Sequence, residues 1–169
     1  MKKSLGFIFG LLTLPLLSLS QAGEGTFPQK DAILKFTVPE NWASELDKDD
    51  GQLTLTTKDD RVAVNFTPIA VEATLEVFEK ILPDAIKAVK GAVLEEKPKA
   101  HTEDGLSGFI ASYKCELEGK PAMLMVSLFK GDKDHSVFAT IIVSEPQTVP
   151  EAELTELQTF MKSLKPAGK

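Results

Sequence analysis

The sequence predicts an α+β domain: a mainly antiparallel central sheet of about six to seven strands, with helices packed on its faces as an α/β/α sandwich. Three observations carry this. Runs of period-two alternation are joined by short turns, which is the pattern of antiparallel neighbours. Two segments repeat apolar residues at steps of three and four, as amphipathic helices do. Two further runs, Ala122–Lys130 and His135–Val143, are apolar on both faces, so they are central strands needing cover on each side.

Ile33–Val38 (ILKFTV) reads as the first strand, ended by Pro39, with Glu40-Asn41-Trp42 forming a corner. Gln52–Thr57 (QLTLTT) and Arg61–Thr67 (RVAVNFT) alternate strictly on either side of Asp59-Asp60, so they form a hairpin. Thr74 is placed as the N-cap of a helix running to Lys90, with Gly91 as its stop. Leu75, Phe78, Leu82, Ala85, Ile86 and Val89 form its apolar stripe, and Pro83 removes one backbone donor, which predicts a kink or break. Val93 to about Thr102 reads as extended, with Pro98 marking an edge or a bulge. In Ser107–Leu117, Phe109, Ala111, Tyr113, Cys115 and Leu117 share one face. Gly119-Lys120 and Gly131–Asp134 supply the next turns. Thr148 with Glu151 reads as a capping box for a last helix running to about Lys165 and stopped by Pro166, with Leu154, Leu157, Phe160, Met161 and Leu164 on its buried stripe.

Two short motifs, Phe36-Thr37-Val38-Pro39-Glu40-Asn41-Trp42 near the start and Ser163-Leu164-Lys165-Pro166 at the end, resemble the PsbP-like superfamily, including its DcrB-like bacterial branch. The resemblance extends over most of residues 33–166 as an order of elements. It implies a central antiparallel sheet between helices. For function it implies binding to proteins or membrane complexes rather than a reaction, and it carries over no active-site residue.

The chain has 169 residues, 43% apolar, 26% charged and 7% aromatic, a composition that supports one globular core and not a disordered chain. Residues 1–22 are read apart from the fold. Lys2 and Lys3 precede an apolar run from Leu5 to Leu19, and Ser20-Gln21-Ala22 ends on small residues, the three-part pattern of a cleavable secretory signal peptide. The run is shorter than the roughly 20 residues of a membrane span and is interrupted by Pro15. Cleavage is expected after Ala22, with Ser20 as the alternative. Residues 23–32 are expected as a flexible leader, 33–166 as a single domain and 167–169 as a tail. No cysteine follows the apolar run, so no lipid anchor is expected there. The removed segment carries two lysines and no acid, which takes the net charge from −6 to −8. That sign disfavours a nucleic-acid partner.

Each candidate for chemistry has a structural reading that outweighs it. Cys115 shares an apolar strand face with Tyr113 and Leu117, which fits a buried thiol better than a nucleophile. His101 lies near Glu103 and Asp104, and His135 near Asp132 and Asp134. Both sit in turns without metal-ligand spacing, so the acids read as turn formers. In Asp47–Gly51 a calcium loop would place Leu46 at position 1 and Thr57 at position 12, so the required carboxylates are missing. Asn65 belongs to a glycosylation sequon but reads as the solvent-facing partner in a strand. Trp42 reads as a core anchor. Met123 and Met125 share a face with Phe129. That face is expected to be covered by the helix containing Pro83, and an uncovered face would be an adaptable apolar groove. No catalytic, cofactor or metal residue is assigned. The expected function is an exported, non-enzymatic domain that binds an envelope protein or assembly, with no stable membrane anchor. The alternatives are a small-molecule or lipid-binding domain with an apolar pocket between sheet and helix, and an enzyme of unrecognised type.

Overall fold

The computed structural model describes residues 23–168, Ala88 excepted. The expected signal peptide and its cleavage site lie outside the described residues. The α+β architecture is as the sequence predicts, with ten strands and two helices among those residues.

The chain opens with β1 (Gly23–Phe27) and β2 (Leu34–Val38), an antiparallel pair in which Gly25 faces Phe36 and Phe27 faces Leu34. Gly23–Phe27 therefore form a paired strand where composition predicts a flexible leader. Its residues lack alternation of their own, and the pairing with β2 makes them a strand. A corner follows in which the Trp42 N–H donates to the Pro39 carbonyl at 3.1 Å. Then come β3 (Ala43–Leu46), β4 (Leu53–Thr56) and β5 (Val62–Ile69), all antiparallel, with Leu53 opposite Phe66 and Leu55 opposite Val64.

The first helix, α1, spans Leu75–Ile86, and the Thr74 hydroxyl caps it by accepting from the Val77 N–H at 3.2 Å. It contains Pro83 without a break and ends three residues later, short of the expected Lys90. Gly91, expected as the helix stop, instead lies inside β6 (Lys90–Glu103) with φ +61°, beside the first of three register shifts against the next strand. One type of bulge places a glycine in such a backbone, and a helix terminus often uses it too, so sequence cannot separate the two. Strands β7 (Leu106–Leu117), β8 (Lys120–Lys130) and β9 (Ser136–Ser144) follow. The turns Asp104-Gly105 and Glu118-Gly119 hold two successive positive φ angles each, the backbone of tight two-residue hairpins.

Pro150 caps α2 (Glu151–Ser163), and no side chain bonds the helix start. The expected capping box is absent because the helix begins at Glu151 with Pro150 at its cap, which leaves Thr148 two residues too early; its hydroxyl donates to the Glu145 carbonyl at 3.0 Å. After α2 the chain does not simply stop at Pro166. β10 (Lys165–Pro166) pairs with Lys35 and Leu34 of β2.

The main sheet runs β3-β4-β5-β9-β8-β7-β6, and β1-β2-β10 form a second, three-stranded sheet. Directly paired residues share a face, so the cores follow from the register. Over one face lie α2 and the small sheet, burying Leu53, Leu55, Val62, Val64, Phe66, Val137 and Ala139. Over the other lies α1, burying Phe78 and Leu82 against Ala111, Tyr113, Leu124, Val126 and Phe138. At the centre of the first core, Phe160 meets Trp42, Phe36 and Phe66 at ring-centroid distances of 5.3, 5.9 and 6.2 Å.

Trp42 is 1% exposed, the anchor the sequence predicts. Its indole N–H donates to Glu156 Oε2 at 3.1 Å, and the Asn41 side-chain amide donates to Glu156 Oε1 at 3.2 Å. One carboxylate on α2 thus fixes the corner after β2. At the far end of α2 the Ser163 hydroxyl accepts from the Thr37 N–H at 2.9 Å and donates to the Phe160 carbonyl at 2.7 Å. The two motifs that carry the family resemblance therefore close on each other. Glu156→Ala is expected to leave the Trp42 N–H without its acceptor and to cost about 1–3 kcal/mol in urea unfolding. A loss no larger than that of an exposed Glu→Ala control would remove this contact from the account.

Candidate functional site

The face that bears Met123, Met125 and Phe129 is not the one that α1 covers. Phe129 and Met125 belong with the first core, beneath α2, whereas α1 packs on the opposite face. The correction arises from topology: alternation assigns residues to a face, but not which helix lies over it. The small sheet and α2 cover this face over β4, β5 and β9, and leave it open toward β7 and β6. There Met123 is 42% exposed, Met125, Ile110 and Ser112 are half-buried, and Val93 on β6 is 63% exposed. The register aligns them: Met123 opposite Lys114, Met125 opposite Ser112, Ser127 opposite Ile110, and Lys114 opposite Val93.

A third methionine borders the same face. Met161 on α2 packs on the first core and lines a cleft with Leu106, Ile110, Phe129 and Leu164. The result is an open strip walled on one side by α2, in which Met123, Met125, Ile110 and Val93 alternate with Ser112 and Lys114. Thioethers are polarizable and flexible, so such a surface can repack around different apolar groups.

On the other side of the strip β6 forms the edge of the sheet. It is mostly exposed and carries Pro98, three register shifts and paired charges, including Lys99 with Glu96 at 3.1 Å. These features block addition of another strand. The edge position and the shift between Glu96 and Lys99 are those that Pro98 predicts; the two shifts nearer Lys90 are not.

The remaining candidates stand in structural roles. Cys115 is buried, its thiol 3.6 Å from the Ala122 carbonyl, and burial pushes its pKa up, away from thiolate chemistry. His101 Nε2 lies 3.4 Å from Glu103, and His135 Nδ1 lies 3.1 Å from Asp132. Asp132 also accepts from the Asp134 and His135 backbone N–H groups, which with the imidazole hold its pKa below the usual range. That carboxylate serves its own turn. A cleft of about 280 Å³ lies beside it, between Glu72-Ala73 and Lys130–Lys133, with few apolar walls. Among the described residues no group of three or more His, Cys, Asp or Glu is placed to hold a metal ion. In Asp47–Gly51 the Asp47 and Asp50 carboxylates accept from the Asp49 and Gln52 N–H groups, as turn formers do. Asn65 is half-buried, accepting from Thr54 Oγ1 at 2.9 Å and donating to Thr140 Oγ1 at 3.3 Å, so it is bound within the sheet rather than free in solvent.

Sequence reasoning missed one charged junction. Arg61, the single arginine of the chain, bonds Asp59 through Nε at 2.7 Å and the Thr148 carbonyl through Nη1 at 2.6 Å, tying the β4–β5 turn to the start of α2. Burial acts to raise the Asp59 pKa, but hydrogen bonds from the Arg61 N–H and the Thr57 hydroxyl, together with the guanidinium charge, outweigh it and lower the pKa. Glu153, in the first turn of α2, is the opposite case. Its Oε2 is buried without a hydrogen-bond partner, and burial, then the neighbouring Asp59 charge, raises its pKa against the pull of Arg61. A folded-state pKa above the unfolded value means that the folded protein loses stability as pH rises through this interval. Glu153→Gln is expected to raise Tm at pH 7, with the gain shrinking on acidification and vanishing below the ordinary glutamate range of about 4.3. A gain that persists unchanged in acid would contradict this origin.

No helix among the described residues is long and apolar enough to cross a membrane. No protein-family model matches the chain, and no curated protein matches it in sequence. Solved structures do match it in fold. LpqN, involved in cell envelope biogenesis of Mycobacterium tuberculosis, aligns with TM-score 0.58 and 10% identity over 88% of this chain and 91% of LpqN. PA94 of Pseudomonas aeruginosa, a protein of unknown function, aligns with TM-score 0.51 and 18% identity over 87% of this chain and 99% of its own. A Bacteroides thetaiotaomicron structure aligns with TM-score 0.54 and 10% identity over 88% of this chain and 50% of that one, so the present chain spans half its length. At these identities the comparisons establish a shared fold: an α+β sandwich found in at least one protein involved in cell envelope biogenesis.

Proposed function

We propose that the protein is an exported, non-enzymatic binding domain of the PsbP-like type that acts through contact with another envelope protein. The observation that carries this reading is the open, methionine-lined half of the main sheet beside α2. An exposed apolar surface of this kind costs a lone domain solubility, which a binding role accounts for. The reading is supported by the signal-peptide pattern of residues 1–22, by the fold shared with an envelope-biogenesis protein, and by the pairing of the two superfamily-like motifs.

Site-specific photo-crosslinking in the native envelope fraction tests it. A photoreactive residue at Met123 is expected to yield one discrete protein adduct, and the same residue at exposed Lys58 none. The adduct is expected to start at Gly23, as cleavage after Ala22 requires. Absence of an adduct at position 123, or equal adducts at both positions, would refute the partner assignment.

A further inference from the structure

The buried Glu153 Oε2, without a hydrogen-bond partner among the described residues, stands in the first turn of α2. From the β4–β5 turn Asp59 and Arg61 face it, and from α2 itself Glu156, one turn further on. Each of these is already held. Asp59 accepts from Arg61 Nε at 2.7 Å, the Thr57 hydroxyl at 3.0 Å and the Arg61 N–H at 3.3 Å. Arg61 also donates to the Thr148 carbonyl at 2.6 Å, and Glu156 accepts from Trp42 and Asn41 at 3.1 and 3.2 Å. Neither carboxylate can therefore swing away from Glu153, and the guanidinium is engaged elsewhere. Two ionised carboxylates brought together are acceptors without a donor, and one proton supplies it.

We infer that Glu153 and Asp59 form a proton-operated latch: one shared proton fastens the first turn of α2 to the β4–β5 turn, and its loss releases that end of the helix. Asp59, with its three donors, keeps the charge, and Glu153 takes the proton. Burial and then the Asp59 charge raise the Glu153 pKa, while the donors on Asp59 hold its own down against burial. Below the ordinary glutamate value of about 4.3, Glu153 is protonated whether the turn is fastened or free. Above it the free turn ionises first, so the fastened form loses ground as pH rises, until Glu153 ionises in place as well. The junction lies at the Met123 end of the open strip. Val62, Val143 and Met123 pair in one row across β5, β9 and β8, and the Ser144 N–H donates to the Arg61 carbonyl at 2.8 Å. Releasing the start of α2 uncovers the sheet beside Met123, so the strip widens as the proton leaves. That last step rests on the partner reading; the latch itself does not.

Carboxyl NMR titration of the purified protein, with amide exchange at Leu154–Leu157 followed over the same pH range, tests the latch. Glu153 is expected to titrate above the ordinary glutamate value and Asp59 below that of aspartate. Protection at Leu154–Leu157 is expected to fall by up to about tenfold per pH unit between the free and fastened midpoints of Glu153. Glu153→Gln, whose amide can donate to Asp59 at every pH, is expected to keep the acid-level protection throughout. Asp59→Asn is expected to bring the Glu153 midpoint back toward its ordinary value. A Glu153 midpoint within the ordinary range, protection that falls equally in Glu153→Gln, or a midpoint unmoved by Asp59→Asn would overturn the latch. Crosslinking at Met123 is expected to grow with pH in the parent and to stay constant in Glu153→Gln. An adduct whose yield ignores pH while Glu153 titrates as expected would overturn control of the strip. No adduct at any pH would refute the partner and leave the latch standing.

Discussion

Phe160→Ala is expected to cost the domain about 3–5 kcal/mol in urea or thermal unfolding. Phe160 is fully buried on α2 and its ring meets those of Phe36, Trp42 and Phe66, which come from β2, the following corner and β5. Removing it leaves a hole bounded by three elements that cannot all collapse into it. α2 then loses its central contact with both sheets, while Phe27 and Phe36 still meet Phe66 directly at 5.7 and 5.5 Å. Phe160→Leu, which keeps most of the volume, is expected to lose clearly less. A loss below about 1 kcal/mol for the alanine variant would mean that this face of the sheet repacks freely.

Gly108→Ala is the second large effect, and it comes from added rather than missing volume. A Cβ at this position would stand 2.4 Å from the Leu128 carbonyl oxygen, and 3.1 Å from Leu128 C and Phe129 Cα. These are backbone atoms of the paired strand β8, so no side-chain rotation relieves the clash and β7 must move away from β8. The expected cost lies at the upper end of the roughly 1–3 kcal/mol typical of overpacking. Gly23→Ala, where an added Cβ meets nothing within 4 Å, is the control and is expected to unfold like the parent. If both variants unfold alike, the tight pairing of β7 and β8 at this point is wrong.

Much of the fold is legible in residue patterns because burial on a sheet writes itself into alternation. The β4–β5 hairpin, the α1 cap at Thr74, the edge at Pro98 and the doubly covered β8 and β9 all follow from local spacing. What escapes is structure that depends on a distant partner. Gly23–Phe27 and Lys165–Pro166 have no apolar period and become strands only because β2 lies between them. Thr148 and Glu151 have the spacing of a capping box, yet the helix starts only at Glu151 behind Pro150, so Thr148 lies outside the cap. For the candidate site, the shared face of Met123 and Met125 is readable, and so is the possibility of a groove. Met161 joins them only through the packing of α2. The helix assigned to cover that face lies on the other, because face assignment needs the strand order 5-9-8-7 that no local pattern contains.

The closure of β2 has a consequence for how the chain assembles. Its neighbours are β1 on one side and β10 on the other, and the Thr37–Ser163 hydrogen bond spans 126 residues of sequence. Contacts of such separation form late and slow the search for the native state. A chain emerging from its N-terminus during synthesis therefore holds Trp42 without the Phe160 ring it packs on until α2 has emerged. The first core is sealed by the last helix, so its packing is completed only once nearly the whole chain is available.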